Sequence, residues 1–377
     1  MTPDGMRPDV VLAQRGRAEL EFLQGMRAAL APLRGRVRER VEAALDPARE
    51  DGAGAAAAAR RGDLDGVTAF RGHVDRALAG SADLAVLGAA LRWNRRVLTP
   101  RALAAFGERE EQLSALAAAP DPDAIQDRGQ DRVPRYWDYE FHGTAGGWDG
   151  HAHMGFVHHE LVYRYLLVPA FGGDIFALRA AVAAAAPRDD YAAVCDLGCG
   201  TGQYTMKLAE AYPQARVTAV DLSLAELRYA QRRAAEAGHD WHLVRAPAED
   251  TGLLAGSQDL VTSFILLHEL PPHALRAVFE EAYRLLAPGG DLVFSDVAPY
   301  AERTAYQAWA DDWDAENGHE PWWRSTATYD LEGAARDAGF TAVRQRALGA
   351  GGYPWLVLAR KPLEGDAPAR SDEGGTP

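Results

Sequence analysis

The run Val194-Cys195-Asp196-Leu197-Gly198-Cys199-Gly200-Thr201-Gly202 constrains this chain more than any other stretch. It reads as a short apolar strand with an acid near its end, followed by three glycines at alternate positions. Residues 205–211 then have helical spacing. A strand passing through a glycine turn into a helix presents backbone N–H groups to a ligand at the carboxyl edge of an α/β sheet. Glycine suits that turn because a Cβ would block close approach and because φ > 0 is required of it.

The rest of the second half alternates between strand and helix patterns. Strand candidates cover 192–197, 216–220, 241–245, 259–264, 291–296, 341–347 and 353–358. Helix candidates fall between them at 205–211, 224–237, 272–286 and 329–338. Such alternation predicts an α/β domain, a doubly wound and mainly parallel seven-stranded sheet. The last two strands are joined by a short loop, which predicts antiparallel pairing at an edge.

Asp221 follows the second strand, where an acid accepts hydrogen bonds from ribose hydroxyls. The glycine spacing is G-x-G-x-G with Asp196 two residues ahead, and it differs from the dinucleotide pattern G-x-G-x-x-G. Together these residues resemble the class I S-adenosylmethionine-dependent methyltransferases, over about residues 192–361. The resemblance implies a Rossmann-like methyltransferase fold and S-adenosylmethionine as cofactor. It places the methionine end at Asp196, Gly198, Gly200 and Gly202, the ribose at Asp221 and the adenine against Leu222. The family's acid after the third strand is replaced by Pro247. Glu249 is the next candidate for the adenine amino group, and backbone alone is the alternative.

The first 120 residues are rich in alanine, leucine, arginine and glutamate and poor in β-branched residues, which predicts an all-helical cap. Helix candidates are 9–45, 49–61, 64–79, 82–97 and 100–118, the last with Thr99 as N-cap and Pro100 at its first position. Residues 121–170 read as a proline-punctuated linker, a loop dense in aromatics and histidines, and a helix from about 158 to 170. The sheet domain spans 171–362, and the polar tail 363–377 reads as disordered.

Acids outnumber bases 54 to 40, a formal charge of -14, which argues against nucleic acid as a partner. Two cysteines, both near the glycine loop, and the lack of a signal-peptide pattern suit a reducing cytoplasm. No apolar run approaches the ~20 residues of a spanning helix, so no membrane partner is expected. Oligomeric state is not readable.

Methyl transfer needs alignment, exclusion of water and, for a protonated acceptor, a base. His268, after the fourth strand, is the leading candidate for a base or an acceptor-orienting group, with Glu269 beside it. Tyr136, Tyr139, His142 and Trp148 of the aromatic loop are candidates to close over the site, Tyr139 and His142 with catalytic roles. The insertion containing Asp312, Trp313, Asn317, Glu320, Pro321, Trp322 and Trp323 resembles a substrate lid, with Trp313 and Trp322 as pocket walls. His151, His153, His158 and His159 lack soft or carboxylate partners at metal spacing, and no metal is expected. The leading reading is a methyltransferase acting on a small molecule of specialised metabolism by direct displacement. Two others stay open: a cyclase or lyase that consumes the cofactor itself, and a binding protein without turnover.

Overall fold

The computed structural model describes residues 6–365, apart from 49, 130–132, 146, 172–174, 350 and 351. The tail expected to be disordered lies outside the described residues from 366 onward.

Six helices open the chain: α1 (Gln14–Ala29), α2 (Ala31–Ala44), α3 (Glu50–Arg61), α4 (Leu64–Ala77), α5 (Ala82–Gly107) and α6 (Glu110–Ala117). The helix expected over 9–45 is two, parted at Leu30, with a proline in the first turn of α2. The break expected at Thr99-Pro100 is absent, for Pro100 lies inside α5 and the buried Thr99 hydroxyl has no hydrogen-bond partner with which to cap. A proline in a helix interior costs about 3 kcal/mol. Burial of Leu87, Leu98, Ala102, Ala105 and Phe106 along the same helix offsets it.

The stretch read as a linker contributes β1 (Gln126–Asp127), and the aromatic loop folds a hairpin of β2 (Glu140–Phe141) and β3 (Thr144–Ala145). Beyond them come α7 (Met154–Phe156), a π-helix (Val157–Leu167), α8 (Val168–Phe171) and α9 (Ile175–Ala183). The helix expected over 158–170 is therefore present but wound more widely over most of its length.

The alternating half runs β4 (Ala193–Leu197), α10 (Gln203–Ala211), β5 (Arg216–Asp221), α11 (Leu224–Glu236), β6 (His242–Arg245), β7 (Gln258–Phe264), α12 (Pro272–Leu285) and β8 (Leu286–Asp296). Then come α13 (Ala305–Asn317), α14 (Trp323–Ala327), α15 (Leu331–Asp337), β9 (Thr341–Ala347) and β10 (Trp355–Arg360). The sheet order is β1-β6-β5-β4-β7-β8-β10-β9. Strands β6 through β8 are parallel, and β10 is antiparallel to both β8 and β9. The seven expected strands are joined by an eighth, β1, parallel to β6. Two residues carry no periodicity, so that strand has no sequence signature.

Every residue of β4 is buried, as suits a central strand covered on both faces. Helix α12 shows how the cover is specified. Leu275, Val278, Phe279, Ala282 and Leu285 recur at helical spacing, and all are buried. Phe279 meets Phe294 of β8 edge to face at 5.2 Å. Each such large side chain contributes about 1.5–3 kcal/mol by leaving water. The N-terminal helices do not keep a core to themselves. Leu20, Leu23 and Phe106 pack with Phe156, Leu161 and Tyr229, while Val41, Phe70 and Val74 pack with Tyr300, Trp309 and Trp313. The first strand pair diverges at β4, with β5 on one side and β7 on the other. That switch point opens a crevice at the carboxyl ends of the strands, under the helical cap.

Candidate active site

The glycine turn leaves β4 as the sequence predicts. Gly198, Gly200 and Gly202 all have positive φ. The Gly198 and Cys199 N–H groups donate to the Val220 carbonyl at 2.8 and 3.0 Å, which ties the turn to β5. The next N–H, of Gly200, donates to Asp221 Oδ2 at 2.8 Å, and the Ser223 N–H donates to Oδ1 at 2.8 Å. Asp221 is thereby aimed across the turn, with lone pairs left for a ligand. Burial is the main reason its pKa rises to about 7, with Glu226 nearby adding to it. Asp196 is fully buried, and burial raises it likewise to about 7. Its Oδ2 accepts from the Thr205 hydroxyl at 2.6 Å, while its Oδ1 has no hydrogen-bond partner.

Above the turn lies a cavity of about 660 Å³, a volume typical of small-molecule sites. Gly198, Gly200, Asp221 and Leu222 line one end, with Ala246, Pro247 and Ala248 beside them. Trp148, Tyr136, His142 and His268 also line the cavity, as do Arg303 and, from the N-terminal helices α1 and α5, Arg27 and Arg95. Gly202, by contrast, packs against Trp241 below the cavity.

The aromatic loop divides into residues that face the cavity and residues that do not. Trp148 stacks on His158 at 3.9 Å with an 8° tilt, and the Ser223 hydroxyl donates to its carbonyl at 3.2 Å. Tyr136 is buried, and its hydroxyl donates to Glu249 Oε1 at 2.6 Å. Tyr139 is 58% exposed and leans on the outer side of Trp322 at 5.4 Å, away from the cavity lining. The short helical turn 135–138 ends between the two tyrosines and turns them apart. Trp322 packs behind Tyr136 and Phe141 rather than on the cavity. Trp313 is buried against Trp309 at 5.9 Å, in the core shared with the N-terminal helices. Glu249 also stays off the lining, occupied by Tyr136.

His142 has positive φ, and its ring sits between two acids. Its Nε2 is 2.8 Å from Glu269 Oε1, and its Nδ1 is 2.8 Å from Glu320 Oε1. Burial opposes a charge here, but Glu320 and Glu269 outweigh it and hold the imidazole up to about 10. The same imidazole, with Arg95 at 2.9 Å, brings Glu320 down to about 2 against the effect of burial. The ligand atoms of these three residues lie within 4.8 Å of one another. Each ring nitrogen faces a carboxylate, and Arg95 Nη1 lies 3.3 Å from Nδ1, so a protonated imidazole can donate to both acids. His151 and His153 pack on Phe106, and His158 and His159 turn to different partners, so the four histidines do not converge.

His268 lies on a helical turn after β7 and is buried. Its Nδ1–H donates to Asp296 Oδ1 at 2.7 Å, and the Leu267 and Val297 N–H groups fix that carboxylate at 2.7 Å each. Burial again works against the charge, and Asp296 overrides it, raising His268 to about 9. Its Nε2 stands 3.8 Å from Glu269.

Several lining groups escaped the sequence reading. Arg95 comes from the middle of α5, and Arg179 and Gln203 flank the glycine turn. Asp296, off the lining but bonded to His268, had a usable signal, an acid at the carboxyl end of a strand. Glu226, at the third position of α11, accepts from His158 Nδ1 at 3.1 Å and looked like an ordinary helix-start acid.

Residues 194–290 match the methyltransferase domain family. The chain is 36% identical over 116 residues to a malonyl-[acyl-carrier protein] O-methyltransferase of Hahella chejuensis, covering 31% of this chain and 40% of that one. It is 38% identical over 116 residues to a trans-aconitate 2-methyltransferase of Azoarcus sp., covering 31% and 43%. It is 31% identical over 167 residues to an uncharacterized methyltransferase of Synechocystis sp., covering 44% and 74%. The chain spans about two-fifths of the length of the first two.

Proposed function

This chain belongs to the class I S-adenosylmethionine-dependent methyltransferases, and from that premise we propose that it methylates a small-molecule acceptor held beneath the helical cap. The observation that carries the proposal is the reach of the cavity, from Asp221 and Leu222 to Arg27 and Arg95. A pocket serving the cofactor alone would end near the glycine turn, so this reach weighs against the cofactor being the sole reactant.

The residues fit the cofactor. Gly200 lines the cavity with no neighbour closer than 3.4 Å to where a Cβ would stand, Asp196 keeps an unpartnered buried oxygen, and Asp221 is oriented by two N–H groups. Asp221 would hold the ribose, Leu222 and 246–248 the adenine, and the glycine turn the methionine end. Glu249 is assigned instead to propping Tyr136. When bound, the cofactor supplies a methyl group activated by a positive sulfur. The protein aligns the acceptor and excludes water, with Trp148 and Tyr136 as walls. Asp296 fixes the His268 ring so that Nε2 faces the cavity, where it accepts or holds the acceptor's proton. His142, already a cation between two acids, tethers the loop and orients Glu269. Tyr139, Trp313 and Trp322 take structural parts.

The test is incubation of the purified protein with S-adenosylmethionine alone and with panels of small carboxylated, phenolic and amine acceptors, products read by mass spectrometry. Methylated acceptor with no consumption in its absence is expected. A cyclised or eliminated cofactor product would replace this reading with the intramolecular one.

A further inference from the structure

Two buried polar groups on the cavity wall have no role in the account above. Gln203 opens α10 and is 5% exposed. Its Nε2 lies 3.1 Å from His159 Nδ1, while its Oε1 is buried with no hydrogen-bond partner. Arg179, on α9, is 7% exposed. It donates to the Ile175 carbonyl at 2.9 Å and to the Tyr163 hydroxyl at 3.1 Å, and lies 4.6 Å from the centre of the Phe264 ring. It has no carboxylate ion pair among the described residues. A buried carbonyl oxygen without a donor, and a buried guanidinium without an anion, each cost stability unless a ligand completes them.

Both groups are held by one element, the π-helix. His159 Nδ1 is 3.0 Å from the Thr201 hydroxyl as well as 3.1 Å from Gln203. Glu160 Oε1, 3.9 Å from the other ring nitrogen, favours the proton on Nε2. Nδ1 is then the acceptor, so it takes the amide N–H of Gln203 and leaves Oε1 on the opposite prong. Tyr163, four residues along, carries the hydroxyl that receives Arg179. The wider winding matters for this face. His158 and Tyr163 are five apart, which on an α-helix would separate them by about 140°. Here their rings are 5.0 Å apart, and both line the cavity. π-Helical turns are rare and recur at functional sites.

We infer that the π-helix is a positioning element for a zwitterionic α-amino-acid group, with Gln203 Oε1 accepting from its ammonium and Arg179 pairing with its carboxylate. His159 and Tyr163 are the positioning residues. The inference rests on the reading above that the cavity takes S-adenosylmethionine, whose methionine part is such a group.

The test uses calorimetric titration of the full chain with S-adenosylhomocysteine and with 5′-methylthioadenosine, which keeps the adenosine and thioether but lacks the amino and carboxylate groups. Gln203→Leu and Arg179→Met should each weaken S-adenosylhomocysteine about ten- to a hundredfold, the scale of one lost hydrogen bond to a charged group. Tyr163→Phe and His159→Phe should weaken it about three- to tenfold, as lost positioning. Binding of 5′-methylthioadenosine should stay within about twofold in all four, which also reports that they are folded. Equal weakening of both ligands, or no weakening of S-adenosylhomocysteine, overturns the inference. Tyr163→Phe, the mildest change, decides if the others do not fold. If the unaltered chain binds neither ligand, the cofactor reading itself fails and takes this inference with it.

Discussion

Replacing Gly200 with alanine and, separately, Gly202 with alanine tests whether the turn is shaped by the fold or by a ligand. Both residues have positive φ, +52° and +73°, so each alanine carries a backbone cost of about 1–2 kcal/mol. Their surroundings differ. A Cβ at Gly202 would meet the Trp241 ring at 2.5 Å and 3.1 Å, and Ala230 at 3.4 Å. Trp241 is buried and has little room to yield. Overpacking adds about 1–3 kcal/mol, giving a total near 2–5 kcal/mol. A Cβ at Gly200 meets nothing closer than Glu226 Oε2 at 3.4 Å, an ordinary contact. Gly200 lines the cavity proposed to take the cofactor. Gly200→Ala should therefore lose only about 1–2 kcal/mol of stability yet bind S-adenosylhomocysteine at least about tenfold more weakly. Urea denaturation with linear extrapolation gives the first quantity and calorimetry the second. Unchanged affinity in Gly200→Ala, or a Gly202→Ala chain no less stable than Gly200→Ala, would refute the reasoning.

Other outcomes follow from the same geometry. Asp221 and Asp196 are raised to about 7, so cofactor affinity should climb between pH 6 and 8 as the acids ionise; Asp221→Asn should flatten that climb and weaken binding at least about tenfold at pH 8. A ligand-free chain moves the opposite way, losing stability as pH rises from the ordinary 3.8 towards 7, because the buried carboxylates must then be charged. His268 is raised, so its contribution to stability is complete below 6.5 and is lost as pH rises through about 9, which pH-dependent denaturation would reveal. If its neutral form is the base, activity should rise with pH through the same region, and Asp296→Asn should move that limb downward by more than a unit. Arg71 of α4 pairs with the buried Asp312 of α13 and, at 2.7 Å, with Glu316, but Arg324 also holds Asp312 at 2.7 and 2.8 Å, so Arg71→Met should cost only about 1.5 kcal/mol in urea denaturation. Helices and sheet should still unfold in one transition, since they share cores.

Much of the architecture was legible in contiguous residues. The strands at 193–197, 216–221 and 341–347 fall within a residue of where apolar runs and turns placed them. The carboxylate chemistry was legible only by half. Asp221 announced itself by its place after a strand, whereas the partnership of His268 with Asp296 joins residues 28 apart through the sheet. Pro100 misled because local propensity was overruled by burial on both sides of it. Tyr136 and Tyr139 were indistinguishable by composition, and one lines the cavity while the other faces water.

By itself the sequence determined the glycine bend after β4, the acids beside it and the alternation that builds the sheet. Each of these is a demand made by a backbone angle or a burial period on neighbouring residues. The tertiary structure alone decided which aromatic rings wall the cavity, that His142 is bracketed by Glu269 and Glu320, and that the π-helix faces Gln203 and Arg179. Those outcomes depend on through-space fields and contacts between segments far apart in the chain, which no local pattern encodes.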